Sequence, residues 1–233
     1  MNSLLRRCVA EALGTFGLIF IGAGVVVTQV FPGGDSGLLG IAIAHGLVLS
    51  IMITATMNIS GGHLNPAVTV GLLAARRIGP RDAGAYIVAQ LAGGAIGALL
   101  LKFVFPANIL KGAIFGTPLV HTAISGGQAV IIEAVLTFFL VSAVFGTAVS
   151  PDAPKVGGFG IGLVLCFDIL VGGPLTGAAM NPARAFGPAL ASRVSGVFGT
   201  GTNHYVYWVG PILGGLVAAL LWDRVLLPKH KPA

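Results

Sequence analysis

The most informative polar residues of this chain lie in two Asn-Pro-Ala tripeptides. Asn65-Pro66-Ala67 and Asn181-Pro182-Ala183 each stand directly before a run of small and apolar residues. Asparagine is a preferred N-cap residue and proline is tolerated at the first helical position, so each tripeptide predicts where a helix begins. The first run reaches Arg76-Arg77 after about ten residues, which at 1.5 Å per residue amounts to about 15 Å. We therefore expect two short helices, each starting at an asparagine amide.

The N-termini of these two helices give the predicted site its chemistry. If the helices enter from opposite sides and meet, two positive dipole ends and two asparagine amides lie at the same depth and repel a cation. The preceding stretches, 59–64 and 172–180, carry backbone carbonyls that we expect no helix to pair. Irregular backbone inside a membrane is tolerated only where it lines water or is buried in protein. The pattern predicts a polar pore along those carbonyls.

The overall composition indicates that a membrane surrounds these elements. Of the 233 residues, 55% are apolar and 9% are charged, and the mean hydropathy is +0.96. An ordinary soluble domain has about 25% charged residues. Seven acidic and thirteen basic residues are too few to cover a compact soluble fold, so a soluble globular enzyme is excluded. The lipid bilayer is the expected surrounding of most of the chain.

Six apolar stretches have the length that crosses a bilayer. They run over 9–30, 38–59, 83–105, 128–149, 156–173 and 205–225. The first follows Arg6-Arg7 and is too long for the apolar core of a signal peptide, so we expect it to be retained. The predicted fold class is an all-α membrane protein with six transmembrane helices and two re-entrant half-helices, which together complete a seventh crossing.

The chain is an internal duplication. The hexapeptide that starts at Glu11 resembles the one at Glu133, the Asn-Pro-Ala tripeptide recurs, and the segment from Tyr86 to Gly94 parallels that from Tyr207 to Gly215. The offsets are all about 120 residues, which is typical of one repeated unit. Three spans in each half is an odd number, so the second copy is inverted relative to the first. We expect one transmembrane domain over 1–233, with repeats of about 8–105 and 128–227.

The basic residues indicate how the chain is oriented. When six spans are threaded, most of them fall on one face, which by the positive-inside rule places both termini in the cytoplasm: Arg6, Arg7, Arg76, Arg77, Arg81, Lys155, Arg224, Lys229 and Lys231. Lys102, Lys111, Arg184 and Arg193 fall elsewhere. The net charge of +6 is scattered and not gathered in a stripe, so no nucleic acid partner is predicted. Cys8 and Cys166 lie in or beside apolar segments and are expected to be inert thiols.

The sequence resembles the aquaporin (major intrinsic protein) family. The resemblance runs from Glu11 to Trp208 and rests on the nonapeptides 60–68, Ser-Gly-Gly-His-Leu-Asn-Pro-Ala-Val, and 180–188, Met-Asn-Pro-Ala-Arg-Ala-Phe-Gly-Pro. It implies a passive channel for water and small neutral solutes that assembles as a homotetramer in the cell membrane. We expect no catalytic residues, no cofactor and no metal, because no pairing of nucleophile and base and no metal-spaced cluster is present.

The resemblance also implies four residues at the outer constriction of the pore. Carried over onto this sequence, they are His45 in the second span, Ile169 in the fifth, and Ala178 and Arg184 around the second Asn-Pro-Ala. Arg184 supplies a fixed positive charge and hydrogen-bond donors, whereas His45 can donate or accept.

The pairing of His45 with Ile169 resembles the tonoplast intrinsic proteins and the ammonia-permeable animal aquaporin, as does the stretch from Asp168 to Pro174. An isoleucine in place of a fifth-span histidine widens and partly dries the constriction, which favours ammonia and hydrogen peroxide alongside water. Glycerol facilitators carry an acid after the filter arginine and a base four residues further on, where this chain has Ala185 and Ala189. A glycerol or small-polyol facilitator is therefore the alternative.

The remaining ionisable residues in the spans and loops can have either a structural role or a role in transport. Glu11 and Glu133 are placed symmetrically, which favours one carboxylate support for the loop of each half-helix, and His63 is expected to hold the first loop by hydrogen bonds. His121 in the third connection is a possible support for Arg184, as in ammonia-permeable plant members. A proton-coupled secondary transporter also uses inverted repeats and broken helices, and it is the alternative from a different class.

Overall fold

A computed structural model describes residues 3–192 and 203–228. In that part of the chain the helices are α1 (Leu4–Thr28), α2 (Gly37–Ser60), α3 (Pro66–Ala74), α4 (Pro80–Val104), α5 (Ala107–Gly112), α6 (Gly126–Val144), α7 (Phe159–Thr176), α8 (Pro182–Ser192) and α9 (Val206–Leu221). A 3-10 turn spans Ile114–Gly116, and wider helical turns extend α6 to Val149 and α9 to Leu226. The described part contains no strand.

Six of these helices are long and apolar enough to cross a membrane, which confirms the predicted number of spans. They are α1, α2, α4, α6, α7 and α9. The spans formed by α6 and α9 include the wider turns that extend these helices. The predicted start of the fifth span was wrong by three residues, because the chain turns at Gly157, whose φ is +57°, and the helix begins at Phe159. The third connection contains α5 and the 3-10 turn, which none of the sequence patterns described above predicts.

The two half-helices begin where the tripeptides predict. Asn65 is the N-cap of α3 and Pro66 its first residue, and Pro182 is the first residue of α8. The second preceding loop is shorter than the predicted 172–180, because α7 continues to Thr176 and ends at Gly177 with a φ of +78°. This end matches the first half, where α2 ends at Gly61 with a φ of +96°. Both half-helices therefore follow a span that stops at a left-handed glycine.

The two halves pack by equivalent close contacts. A Cβ on Gly93 of α4 would press on the carbonyl oxygen of Ala12 in α1, and a Cβ on Gly214 of α9 would press on that of Ala134 in α6. The backbones of the first and third span of each half thus lie in direct contact, as small residues allow in membrane bundles. Each half-helix in turn packs against the third span of the other half. Gly71 of α3 lies over the Gly215 carbonyl and Gly187 of α8 over that of Gly94.

The basic face of the bundle is joined by two ion pairs. Arg7 Nη1 lies 2.7 Å from Asp82 Oδ2, which ties the start of α1 to the start of α4. Arg77 Nη2 lies 2.7 Å from Asp223 Oδ1, which ties the end of the first half-helix to the end of the last span. These segments therefore share one face, as the basic residues predict. Arg193, Lys229 and Lys231 lie outside the described residues.

We expect Gly93→Ala and Gly214→Ala each to destabilise the protein by about 1–3 kcal/mol, because the added methyl meets backbone that cannot rotate away. Thermal unfolding of the purified protein in detergent measures this. The matched control is Gly84→Ala on α4, where a Cβ meets open space and helix propensity favours alanine. Equal midpoints for all three variants would contradict the proposed close contacts.

Candidate pore and selectivity site

The N-termini of the two half-helices meet and bind each other's loop. Asn65 Nδ2 donates to the Met180 carbonyl over 2.9 Å, and Asn181 Nδ2 donates to the Leu64 carbonyl over the same distance. Both asparagines are buried. Bonds between residues more than 100 positions apart in the sequence thereby hold the two positive helix ends at one depth.

Each asparagine also caps its own helix. Asn65 Oδ1 accepts from the Ala67 amide at 2.8 Å, and Asn181 Oδ1 accepts from the Ala183 amide at 2.9 Å. A side-chain amide has two N–H donors, of which the carbonyl of the opposite loop takes one. The other donor is left for the pore, and both asparagines line the inner cavity described below. The arrangement offers two donors and no anion at the centre.

The loops before the half-helices are bent by residues in the left-handed region. Leu64 has a φ of +50° and Met180 a φ of +51°, at equivalent positions directly before the asparagines. Such a conformation costs a residue other than glycine of the order of 1 kcal/mol. The bend turns the Leu64 and Met180 carbonyls toward the opposite asparagine, so the hydrogen bonds of the two amides hold the strained backbone in place.

A buried carboxylate supports each loop. Glu11 accepts from the Ser60 hydroxyl at 2.6 Å and from the amides of His63 and Leu64 at 3.0 and 2.6 Å. Its second oxygen also accepts from Gln90 Nε2 at 2.8 Å. One glutamate of α1 therefore supports the first loop, because it accepts from loop amides that have no helical partner.

Glu133 of α6 does the same in the second half. It accepts from the Thr176 hydroxyl at 2.7 Å and from the amides of Ala179 and Met180 at 3.0 and 2.7 Å. A tyrosine on the third span completes each support, since Tyr86 donates to the Ser60 carbonyl and Tyr207 to the Thr176 carbonyl, both at 2.7 Å. The symmetry of the sequence thus extends to the hydrogen bonds.

His63 lies in the first loop and lines the inner cavity. Its ring Nδ1 is 3.1 Å from Thr69 Oγ1, and Thr69 in turn accepts from Gln90 Nε2 at 3.0 Å. The ring also meets Tyr86 edge to face, with centroids 5.1 Å apart. The histidine therefore belongs to the polar network around Glu11.

Arg184 is the buried cation of the site. Its Nε donates to His45 Nε2 at 3.3 Å, and its Nη1 donates to the Gly116 carbonyl at 2.9 Å. A guanidinium has five N–H donors, so three remain after these two bonds. Arg184 borders both cavities described below.

Two cavities meet at His45 and Arg184. Both asparagines line an inner cavity of about 20 Å³, and an outer cavity of about 230 Å³ lies next to it. Among the residues that the structure describes, His45 and Arg184 alone border both cavities. Ala178 borders the inner cavity and Ile169 the outer one. The four residues expected at the constriction are thus brought together around the junction.

Two further ionisable residues, of which the first was expected to support Arg184, are not brought to this junction. His121 is exposed; its backbone amide binds the Leu175 carbonyl and its ring Nδ1 accepts from the Ala123 amide, so it does not reach Arg184. The Gly116 carbonyl occupies that role instead. Asp168 is buried but borders neither cavity, and within the described ranges its Oδ2 has no hydrogen-bond partner.

Sequence reasoning missed Gly116. Ile114, Phe115 and Gly116 have consecutive positive φ values of +47°, +57° and +66°, and this turn aims the Gly116 carbonyl at Arg184. A Cβ on Gly116 would also press on the backbone of Ala23 in α1. Gly116 is one of two glycines in residues 105–125, and a backbone carbonyl cannot be recognised from residue type.

An inverted helical repeat whose half-helices meet beside two cavities defines a membrane channel. The sequence profile described as Major intrinsic protein matches residues 1–222, and the chain belongs to this family. It is an integral membrane protein that crosses the bilayer several times, and a channel for water and small solutes, not an enzyme. The alternative of a proton-coupled secondary transporter is therefore not supported.

Related proteins match over nearly the full length. Aquaporin TIP4-4 of Zea mays is 43% identical over an alignment of 241 residues, gaps included, and the alignment covers 98% of this chain and 90% of the relative. Probable aquaporin TIP3-2 of Arabidopsis thaliana is 40% identical over 96% of this chain and 85% of its own length. Relatives of this tonoplast type do not favour the cell membrane that the sequence led us to expect.

The fold is shared with a solved structure. The aquaglyceroporin from Plasmodium falciparum aligns with a TM-score of 0.85 over 96% of this chain and 97% of its own, at 25% identity. This likeness confirms the predicted fold class.

We expect Glu133→Gln to lower the thermal midpoint by several degrees and to reduce water permeability sharply. The amide places an N–H₂ group where a carboxylate oxygen accepted a buried donor, and each orphaned donor costs about 1–3 kcal/mol. Thermal unfolding and stopped-flow light scattering of proteoliposomes measure the two effects. Asp152→Asn, an exposed acid in a connection, is the matched control. A Glu133→Gln protein as stable and permeable as its control would contradict the support role.

Proposed function

We propose that this chain is a passive channel that conducts ammonia as well as water, and that His45, Ile169, Ala178 and Arg184 form its selectivity filter. The observation that carries the proposal is the junction of the two cavities, where one buried guanidinium faces an apolar wall. The pore chemistry is binding and exclusion alone, with no covalent step.

Exclusion of ions follows from the charges near the centre. A cation would meet the two half-helix N-termini, the two asparagine N–H donors and Arg184, all of which carry positive charge or potential. A hydrated anion would have to shed its water in a cavity walled largely by leucine, isoleucine and valine. Neutral molecules pay neither penalty.

Ammonia is favoured by the apolar side of the junction. Ile169 offers no hydrogen bond, and the small side chain of Ala178 leaves space in the cavity that Arg184 also lines. A small neutral solute therefore does not need to form hydrogen bonds on two sides at once, as water can. The relatives named as TIP aquaporins are compatible with this assignment.

A glycerol or small-polyol channel is the second candidate. An apolar residue and a small residue at the filter leave room for a carbon chain, and the solved neighbour is named an aquaglyceroporin. Residues 185 and 189 are alanines, however, so this chain lacks the acid and the base that glycerol facilitators carry at these two positions after the filter arginine. We therefore place ammonia ahead of glycerol.

The orientation and assembly of the channel are also part of the proposal. The face that carries the Arg7–Asp82 and Arg77–Asp223 pairs is assigned to the cytoplasm, which puts both ends of the described chain there. Four copies, each with its own pore, form the proposed homotetramer.

The test is stopped-flow light scattering of proteoliposomes challenged in turn with sucrose, glycerol and an ammonium salt. We expect fast water and ammonia flux and slow glycerol entry. The double variant His45→Phe and Ile169→His is expected to keep water flux and lose ammonia flux, because it narrows the junction and makes both walls polar or aromatic. Ammonia uptake no faster than in empty liposomes, with water flux intact, would refute the ammonia assignment; glycerol entry as fast as water would favour the second candidate.

A further inference from the structure

Both ring nitrogens of His45 are already occupied by protein groups. Nδ1 lies 2.9 Å from the Ile41 carbonyl oxygen, which can only accept, so Nδ1 carries the proton. Nε2 lies 3.3 Å from Nε of Arg184, which can only donate, so Nε2 presents its lone pair. One tautomer of the neutral imidazole satisfies both partners, and it has no hydrogen-bonding capacity left. The sequence expectation that His45 donates to or accepts from a solute is therefore not what this geometry provides.

We propose that His45 is a positioning residue for Arg184, and that Gly22 of α1 is a specificity-determining residue because it leaves room for their contact. The inference rests on the channel function proposed above. Arg184 is held at two points, by His45 and by the Gly116 carbonyl, and these two bonds fix where its remaining donors point. The permeating molecule then hydrogen-bonds to Arg184, while His45 sets the direction of the guanidinium.

Gly22 is singled out by what a side chain there would touch. A Cβ on Gly22 would lie 2.5 Å from His45 Nε2 and 2.7 Å from Cδ2, and its three nearest neighbours are all atoms of the imidazole. Nε2 is the atom that accepts from Arg184. A methyl at this position therefore displaces the ring from the guanidinium without pressing on backbone. Gly22 borders neither cavity, so its substitution acts on the pore only through His45.

The charged surroundings favour the neutral form of His45. Arg184 on α8 is the charged group that faces His45 directly, and Glu133 on α6 faces the guanidinium. On α7, Cys166 donates its thiol to the Ala42 carbonyl, and Asp168 lies near Glu133. Protonation of His45 turns Nε2 into a donor and sets a second cation beside Arg184. Burial of the ring and the adjacent guanidinium both oppose this second charge, so the contact persists at neutral and mildly acidic pH.

The first experiment compares Gly22→Ala with Gly24→Ala in proteoliposomes. The control position lies on the same helix, and a Cβ there meets only Leu101 Cδ2 at an ordinary 3.6 Å. We expect Gly22→Ala to raise proton and glycerol leak relative to water flux by about ten-fold, the equivalent of one lost hydrogen bond to a charged group, and Gly24→Ala to match wild type. An unchanged leak-to-water ratio in Gly22→Ala would overturn the proposal.

A double-substitution cycle separates positioning from direct solute binding. If His45 acts through Arg184, His45→Leu raises the leak ratio in the wild-type background and changes nothing further in Arg184→Val. If His45 binds solute itself, its loss alters water flux in both backgrounds, which would refute the proposal. His45→Gln keeps an acceptor at this position, so it should restore the wild-type leak ratio that His45→Leu loses.

Nitrogen NMR of histidine-labelled protein in lipid reads the contact without any flux. We expect the His45 signal to report a protonated Nδ1 and an unprotonated Nε2 at neutral pH, and to lose this single tautomer in Gly22→Ala and Arg184→Val. A wild-type His45 protonated at Nε2 would overturn the inference even in a conducting channel. Absence of water and ammonia flux from the wild type, with the expected tautomer intact, would instead refute the proposed function.

Discussion

The need to satisfy backbone polar groups in the middle of a membrane determines the rest of this structure. Two segments leave the helical conformation there, and in lipid an unpaired N–H or carbonyl costs several kcal/mol. Each asparagine resolves part of this by capping its own helix and binding the carbonyl of the opposite loop. Neither loop is complete without the other half, so the two repeats must close on each other before either can be stable.

The carboxylates and the close helix contacts serve the same requirement. Glu11 and Glu133 pair the loop amides that the asparagines do not reach, and they do so from the first span of each half. The first span must lie near its loop for this, and the contacts of Gly93 and Gly214 let the third span press closely against it. The glycine pairs of the sequence are thus connected, through helix spacing, to the hydrogen bonds of the pore.

Repetition made much of this architecture predictable from sequence. The six spans, the caps at Asn65 and Asn181 and the symmetric placement of the two glutamates follow from periodicity, length and the duplicated motif. The bonds that join the halves did not follow, because their acceptors are the backbone carbonyls of Leu64 and Met180, which any residue possesses. The same reason explains the error over Arg184. His121 has a side chain that sequence reasoning can propose, whereas Gly116 contributes only a carbonyl, aimed by a turn that local sequence does not specify.

The two halves depart from symmetry in the residues around their carboxylates and in the residue that follows each Asn-Pro-Ala. Arg184 follows the second Asn-Pro-Ala, and the equivalent residue after the first is Val68. The half that lacks the guanidinium has Gln90, Thr69 and His63 around its carboxylate, while the other half has Pro211, Ala185 and Ala179 at those positions. Glu133 instead has the positive charge of Arg184 nearby. A second arginine at position 68 would add another barrier of the same sign on the same narrow path, without any gain in exclusion that the two helix ends and one guanidinium do not already provide. Divergence of the two copies therefore keeps the shared hydrogen bonds of the loops and places the buried guanidinium in the second half alone of the described residues.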